Sequence, residues 1–423
     1  MYDIVITWSI ILLVIFLIHI TTIEDHRLKK ILYVALSIRL LLMVIEVYIY
    51  SDLPYLTARD AGRFQRRAVA FYDQYSLYEL LMPPYPSGSG LYSYMMATIY
   101  AFFGTTENSI IRSVNILAGV FVVYNSYKIS QTLWTRNVAV QNALILAIFP
   151  LLAVYAQDAI RESFVVYFLT LGILYYVYWS HQKRPYYLII SVFGFALSTA
   201  LHMGALMALL ALLVYYFWRA INSLFTGKVY SLINTIVVIG IVGAGIFYLN
   251  TTGWGLGDIG GEGAIGEFGM EELIERRGHG ETRGRAGYLE GMLANNPLDI
   301  IWQTPVRVAY FLFTPFPWMM NSLWDLVGLF DSLLYLLVFW GIYKSLPVLR
   351  QDPEKMALLF MLIGMLIIFA WGVSNYGTAM RHRAKIIPLA ICLAPHIYPL
   401  RRVVYNQLKK KWQIIYLLKL LRN

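Results

Sequence analysis

Long apolar runs recur along this chain, each close to the ~20 residues that carry a helix across a hydrocarbon core. Examples are ITWSIILLVIFLIHI, NALILAIFPLLAVY, SFVVYFLTLGILYYVYW and ALLFMLIGMLIIFAW. Their apolar positions do not alternate with polar ones over about ten residues, as the strands of an outer-membrane barrel would. The pattern predicts helices and about eleven spans, near residues 3–20, 31–50, 110–130, 138–155, 162–180, 186–201, 203–219, 229–249, 325–346, 355–373 and 384–400. Five segments follow: 1–30, an N-terminal span and loop; 31–249, a transmembrane core with a first long loop at 51–109; 250–324, a Gly/Arg-rich second loop; 325–400, the last spans; and 401–423, a tail. The fold class is therefore an all-α polytopic membrane protein with two long extracytoplasmic loops that contain juxtamembrane helices.

The polar residues between the runs fall into two alternating sets. One carries Arg27, Lys29, Lys30, Lys128, Arg136, Lys183, Arg184, Arg219, Lys228, Lys344, Arg350, Lys355 and the tail residues Arg401, Arg402 and Lys409 to Lys411. The positive-inside rule makes this set cytoplasmic, with the N-terminus outside and the C-terminus inside. The tail KKKWQIIYLLKLLRN reads as a basic amphipathic helix on the inner leaflet. The opposite set is also basic, but through arginine: Arg59, Arg63, Arg66, Arg67, Arg161, Arg276, Arg277, Arg283, Arg285, Arg307, Arg381 and Arg383, with Lys385 at an edge. A bias toward the planar guanidinium fork suits bidentate recognition of phosphate or carboxylate. Pairing with lipid headgroups or neighbouring acids is the blander reading of the same residues.

Composition agrees with a membrane protein: of 423 residues, 59% are hydrophobic and 14% charged, and the mean hydropathy is +0.60. The single cysteine, Cys392, excludes a disulfide framework and a cysteine-based metal site. The first run is followed rather than preceded by its basic residues, so it is expected to remain as a helix rather than be removed as a signal peptide.

Chemistry concentrates in the loops of the arginine-rich side. In DAGRFQRRA, helical spacing puts Asp60, Arg63 or Phe64, Arg67 and Phe71 on one face. An ionised carboxylate there can accept a proton from an attacking hydroxyl; a surface helix laced with ion pairs has the same spacing. Pro83 to Gly90 then leads into LYSYMMATIYAFFG, too short to span and rich in interfacial aromatics. Gln157, Asp158, Arg161 and Glu162 form a charged turn between two spans, where carboxylates could hold a divalent cation or donor hydroxyls and Arg161 could meet phosphate. Capping of the span ends is the competing account of that turn.

This order of motifs resembles the GT-C class of membrane glycosyltransferases, of the family 39 and 83 kind, which take sugars from polyprenyl-phosphate or polyprenyl-pyrophosphate carriers. The likeness lies in the acidic residue after an early span (Asp60), the proline-rich entry YPSGSGLYSYMMATIYAFFG, the segment from Glu107 through Arg112 to Trp134, and the turn in FPLLAVYAQDAIRESFVVYF. It covers residues 31–220. The chain departs from the pattern in its extra N-terminal helix and in having Asp60-Ala61 where the family commonly has an acidic pair. The resemblance implies a lipid-carried sugar donor, Asp60 in the base position, and Asp158, Arg161 and Glu162 opposite it.

Later stretches extend the same side. In residues 305–318, Pro305, Pro315 and Pro317 are expected to break any spanning helix, leaving Arg307 in a juxtamembrane or re-entrant element. Asn375 to Lys385 places Arg381, His382 and Arg383 at the mouth of the last span, and this cluster resembles the terminal motif of polysaccharide-assembly membrane proteins. Fixed cations there would stabilise charge on a leaving phosphate, though they could instead reach for headgroups. GEGAIG, at 261–266, matches the dinucleotide fingerprint in form only, because no strand–helix–strand unit surrounds it; the glycine-rich segment from Gly253 to Gly291 reads better as a loop that orders over substrate. Within the spans, Glu46 lies near the external end and could join the site, Arg39 should find a buried partner or backbone carbonyls, and His202 sits at an outer turn, either as a structural histidine or as a ligand to sugar or phosphate.

Taken with the resemblance, these residues imply a glycosyltransferase in the plasma membrane of a prokaryote. Its catalytic residue would be Asp60, and its substrate-binding residues Arg63, Asp158, Arg161, Glu162, His202, Arg307, Arg381, His382 and Arg383. No cofactor or bound metal is required by this reading, although a divalent cation could take part. The expected partners are a polyprenyl-phosphate-linked sugar, a glycan or lipid-linked acceptor and membrane lipids; nucleic acid is not among them. Two other functions fit parts of the pattern: a polymerase of lipid-linked repeat units, and a flippase or secondary transporter, which would more often show internal repeats.

Overall fold

The computed structural model describes residues 2–49, 59–82, 85, 86, 88–226, 240, 286–289, 291, 292, 294, 296–320 and 325–395. The expected span at 229–249, the GEGAIG loop and the basic tail lie outside these residues or almost wholly so. Fifteen α-helices occur among the described residues. In chain order they are α1 (Tyr2–Thr21), α2 (His26–Val44, extended by a π turn over Ile45–Ile49), α3 (Arg59–Gln74), α4 (Leu77–Leu80), α5 (Ser89–Phe103), α6 (Asn108–Leu133), α7 (Arg136–Ile148), α8 (Pro150–Gln157), α9 (Glu162–Gln182) and α10 (Pro185–Leu201). After them come α11 (Leu206–Thr226), α12 (Pro297–Phe313), α13 (Asp325–Leu349), α14 (Pro353–Gly372) and α15 (Tyr376–Cys392). Among the described residues, seven helical segments are long and apolar enough to cross a membrane, or eight if α7 and α8 count as one bent span. α10 is shorter, and α15 carries its charged residues inside its own length.

Hydrogen bonds and ring contacts sort the turns into two ends. At one, Arg136 meets Asp25 at 2.9 Å, His181 meets Glu354 at 2.7 Å, the Trp134 indole donates to the Cys392 carbonyl at 2.8 Å, and Lys355 lies over the Trp134 ring. At the other, Thr7 bonds Ser109, Tyr376 donates to Asp325, and the His202 and His382 rings lie 5.1 Å apart. The alternating loop sets of the sequence thus become the two ends of one bundle. The first long loop folds as α3, α4 and α5 over the second end, with Phe64 edge-on to Tyr92 and Phe71 edge-on to Tyr94.

α6 is buried on nearly every side, whereas α1 exposes Leu12 and Phe16 as a helix at a lipid-facing rim would. The break between α7 and α8 bends the chain by 59° at Pro150, which has no N–H to continue the helix and whose ring crowds the preceding turn. Arg39 supplies what the break removes: its Nη1 donates to the carbonyls of Ala147, at 3.2 Å, and Ala35, at 2.9 Å. Of the two expected outcomes for Arg39, a buried partner or backbone carbonyls, the contacts are with carbonyls. Pro305 lies inside α12, which ends at Thr314–Pro315 and is not one of the helices long and apolar enough to cross a membrane. An Asn296 capping box and Pro297 start that helix.

Candidate active site

Three segments meet at the Asp60 end. The Pro150 break aims α8 so that its C-terminal Gln157 and the turn after it lie against α6. There Asn115 donates through Nδ2 to the carbonyls of Asp158 and Ile160, the latter at 2.9 Å, and to the Tyr92 hydroxyl at 3.0 Å. Arg112, one helical turn earlier, donates to Gln157 Oε1 at 2.7 Å and lies 3.5 Å from Asp158 and 3.8 Å from Glu46. These side chains are all buried. Guanidinium and carboxylates in low dielectric hold one another only when so paired, so this knot fixes the turn at 157–161 against α2 and α6. Glu46 therefore reaches Arg112, and Asp158 turns inward to it.

Beyond the knot, Glu162 opens α9 and meets two cations from α15: Arg381 Nε at 3.0 Å and Lys385 Nζ at 3.4 Å. Residues 381 and 385 are one turn apart and share a helix face. Arg381 Nη1 also donates to Asp60 Oδ2, while Arg63, three residues on in α3, lies 3.3 Å from Asp60 Oδ1. The ladder grades from water inward: the side chain of Arg63 is 58% exposed, Asp60 28%, Arg381 17%, Glu162 2% and Lys385 0%. Arg161 closes one side, donating to the Leu201 carbonyl at 2.9 Å with its guanidinium carbon 6.0 Å from the Phe64 ring centre.

His202 and His382 form the neighbouring wall. His202 ends α10 and accepts the Gly204 N–H at Nδ1, 3.1 Å away, which leaves its proton on Nε2. Burial, reinforced by the positive charge of Lys385, holds this imidazole well below its usual range. His382 Nδ1 lies 3.4 Å from Lys385 Nζ, and the Phe369 ring packs against both histidines.

Asp60, Arg63, Arg161, Glu162, Arg381, His202 and His382 are thus gathered at one end, with Asp158 behind them on Arg112. Two expected residues are not part of the gathering. Arg383 is fully buried away from Asp60: it donates to the carbonyls of Leu312 and Thr314 and to Ser332 Oγ, and lies 3.5 Å from Asp331 with Tyr335 beside it. Residues two apart on a helix point in opposing directions, so Arg381 and Arg383 cannot serve one pocket. Arg307 does not join that ladder: it bonds Gln303 and the Met292 carbonyl and stacks 4.2 Å over Trp371. Lys385, Arg112 and Asn115 had no expected role in the site. The last two, three residues apart in an apolar run, carried the signal, because polar groups in a span are costly unless they serve a site.

No cluster of three or more Asp, Glu, His or Cys side chains suited to a metal occurs among the described residues. Asp60 and Glu162 are each engaged by cationic side chains.

A sequence profile of the dolichyl-phosphate-mannose-protein mannosyltransferase family matches residues 88–246. No protein of curated function matches the chain. Among solved structures, that of the Archaeoglobus fulgidus oligosaccharyltransferase in complex with Zn and sulfate superposes with a TM-score of 0.51 at 16% identity, over 92% of this chain and 51% of that one. ArnT from Cupriavidus metallidurans, bound to undecaprenyl phosphate, gives 0.50 at 12% identity over 86% and 59%. The A. fulgidus protein AglB with an inhibitory peptide and a dolichol-phosphate gives 0.51 at 14% over 92% and 52%. This chain spans a little over half the length of those proteins. At these identities the likeness is one of fold, and the resemblance to the GT-C class holds at that level: a polytopic helical membrane protein of GT-C-like architecture.

Proposed function

We propose that this protein is a glycosyltransferase that moves a sugar from a polyprenyl-phosphate or polyprenyl-pyrophosphate carrier to a glycan or lipid-linked acceptor. The observation that carries the reading is Arg381, which joins Asp60 of the first loop to Glu162 of the inner turn at one mouth of the bundle. The matching profile and the carrier lipids bound by proteins of the same fold support it. In this reading the Asp60 end is extracytoplasmic, the short lysine-bearing turns are cytoplasmic, and the membrane is the plasma membrane of a prokaryote.

The acceptor hydroxyl attacks the anomeric carbon and gives its proton to Asp60. The bond from that carbon to the carrier oxygen breaks, and its electron pair stays on the phosphate. Arg381 and Lys385, with Arg161 and the two imidazoles nearby, are fixed positive or donor groups around that developing charge, and preorganised donors of this kind commonly contribute ~10²–10³ in rate. A phosphate leaving group is already weakly basic, so a general acid is unnecessary. The cations also replace an obligatory metal in this scheme.

The test is genetic and chemical. Loss of the gene truncates a surface glycan or accumulates a sugar-charged carrier lipid, read by mass spectrometry. Asp60→Asn and Arg381→Ala proteins that insert normally should fail to restore the glycan; full restoration by both rejects the site. Labelling from outside intact cells of a cysteine placed at Ser87 tests the orientation.

A further inference from the structure

We propose that Arg381 is exchanged between Asp60 and the donor's phosphate, so that arrival of the donor frees the base and the donor must bind before the acceptor reacts. The inference rests on the glycosyl-transfer reading and adds an order of events to it. As found, both oxygens of Asp60 are occupied, Oδ1 by Arg63 and Oδ2 by Arg381. A carboxylate whose lone pairs face two guanidinium groups is poorly placed to take a proton from a hydroxyl.

The two ends of Arg381 are not equivalent. Its Nε is held by Glu162, which is 2% exposed and also bound by the fully buried Lys385, whereas its Nη1 meets Asp60 at the wetter edge of the ladder. The Glu162 end anchors the side chain and the Asp60 end can open. Coulombic attraction is weakest where water competes, so an incoming phosphate displaces the outer contact and leaves the inner one. A phosphate or pyrophosphate matches the guanidinium fork as well as a carboxylate does and brings equal or greater charge. Glu162 is then a positioning residue that keeps Arg381 within reach of either partner.

The experiment measures equilibrium binding of undecaprenyl phosphate to the purified full-length protein in lipid nanodiscs, alongside turnover. Asp60→Asn should bind the lipid phosphate about two- to fivefold more tightly than wild type, the worth of one partly exposed ion pair, while transfer is lost. Asp73→Asn removes the same charge about 20 Å further along α3 and should leave affinity unchanged, which separates exchange at Arg381 from a general change of charge. Arg381→Ala should weaken binding at least tenfold, and Asp60→Asn should bring no gain in its background. If Asp60→Asn binds no tighter while Arg381→Ala binds weakly, the exchange is wrong and the transferase reading stands. If Arg381→Ala binds as wild type does, phosphate does not sit at Arg381, and the site reading fails with the exchange. Gel-filtration profiles of each variant identify misfolding, and Arg381→Lys, which keeps the charge but loses the fork, should retain part of the affinity.

Discussion

Replacing Arg383 with methionine tests whether this arginine holds the bundle together rather than the substrate. Methionine keeps much of the volume and removes the charge and donors. The change leaves Asp331 as a fully buried carboxylate without its counter-ion, and leaves the carbonyls of Leu312 and Thr314 without the guanidinium that joins the end of α12 to α15. Breaking a buried ion pair from one side costs about 3–5 kcal/mol, and the Leu312 carbonyl left unsatisfied adds about 1–3 kcal/mol, whereas that of Thr314 keeps the Ser332 hydroxyl. Even the lower sum is a large share of the ~5–15 kcal/mol that holds a typical domain. The expected result is a thermal midpoint several degrees lower in detergent, read by fluorescence-detected gel filtration. The second arm is Arg383→Met with Asp331→Leu, which removes the orphaned charge and should recover part of the loss, but not the carbonyl contribution. If Arg383→Met is as stable as wild type yet inactive, the structural assignment is refuted and the arginine belongs to substrate after all.

Other outcomes follow from the same geometry. Arg112→Ala should lower both stability and transfer, because Gln157, Asp158 and Glu46 lose a shared partner; Arg112→Lys should restore stability more than activity, checked by midpoint and turnover together. A Cβ at Gly204 would lie 2.5 Å from Phe369 and 3.0 Å from His202, so Gly204→Ala should displace that wall and reduce kcat/KM well before it unfolds the protein. His202, depressed by burial, binds its proton more weakly folded than unfolded, so stability is fully present above the unfolded pKa of about 6.5 and is lost as pH falls below it. The drop in midpoint between pH 7.5 and 5 should shrink in His202→Gln; an unchanged drop would show that His202 is not the source. Transfer should persist in EDTA, and abolition reversed by added Mg²⁺ or Mn²⁺ would require a metal that fixed cations do not replace.

The run lengths of apolar residues determined that this chain is a helical membrane bundle, because the cost of unsatisfied backbone groups in lipid leaves few other ways to cross it. The alternation of loop composition also determined which turns share an end, and the structure groups Asp25 with Arg136 and His202 with His382 accordingly. Even the destination of Arg39 was readable in kind: a buried guanidinium must find a partner or carbonyls. That it finds Ala147 was not, since this depends on where a proline fractures a distant helix. Only the tertiary structure brought Asp60 to Arg381 across 321 positions, and only it separated Arg381 from Arg383. Two arginines beside one histidine look alike in a string of letters. On a helix, the ~100° turn per residue sends one into the polar mouth and the other into the packed junction of α12, α13 and α15, and what each can do follows from what it meets there.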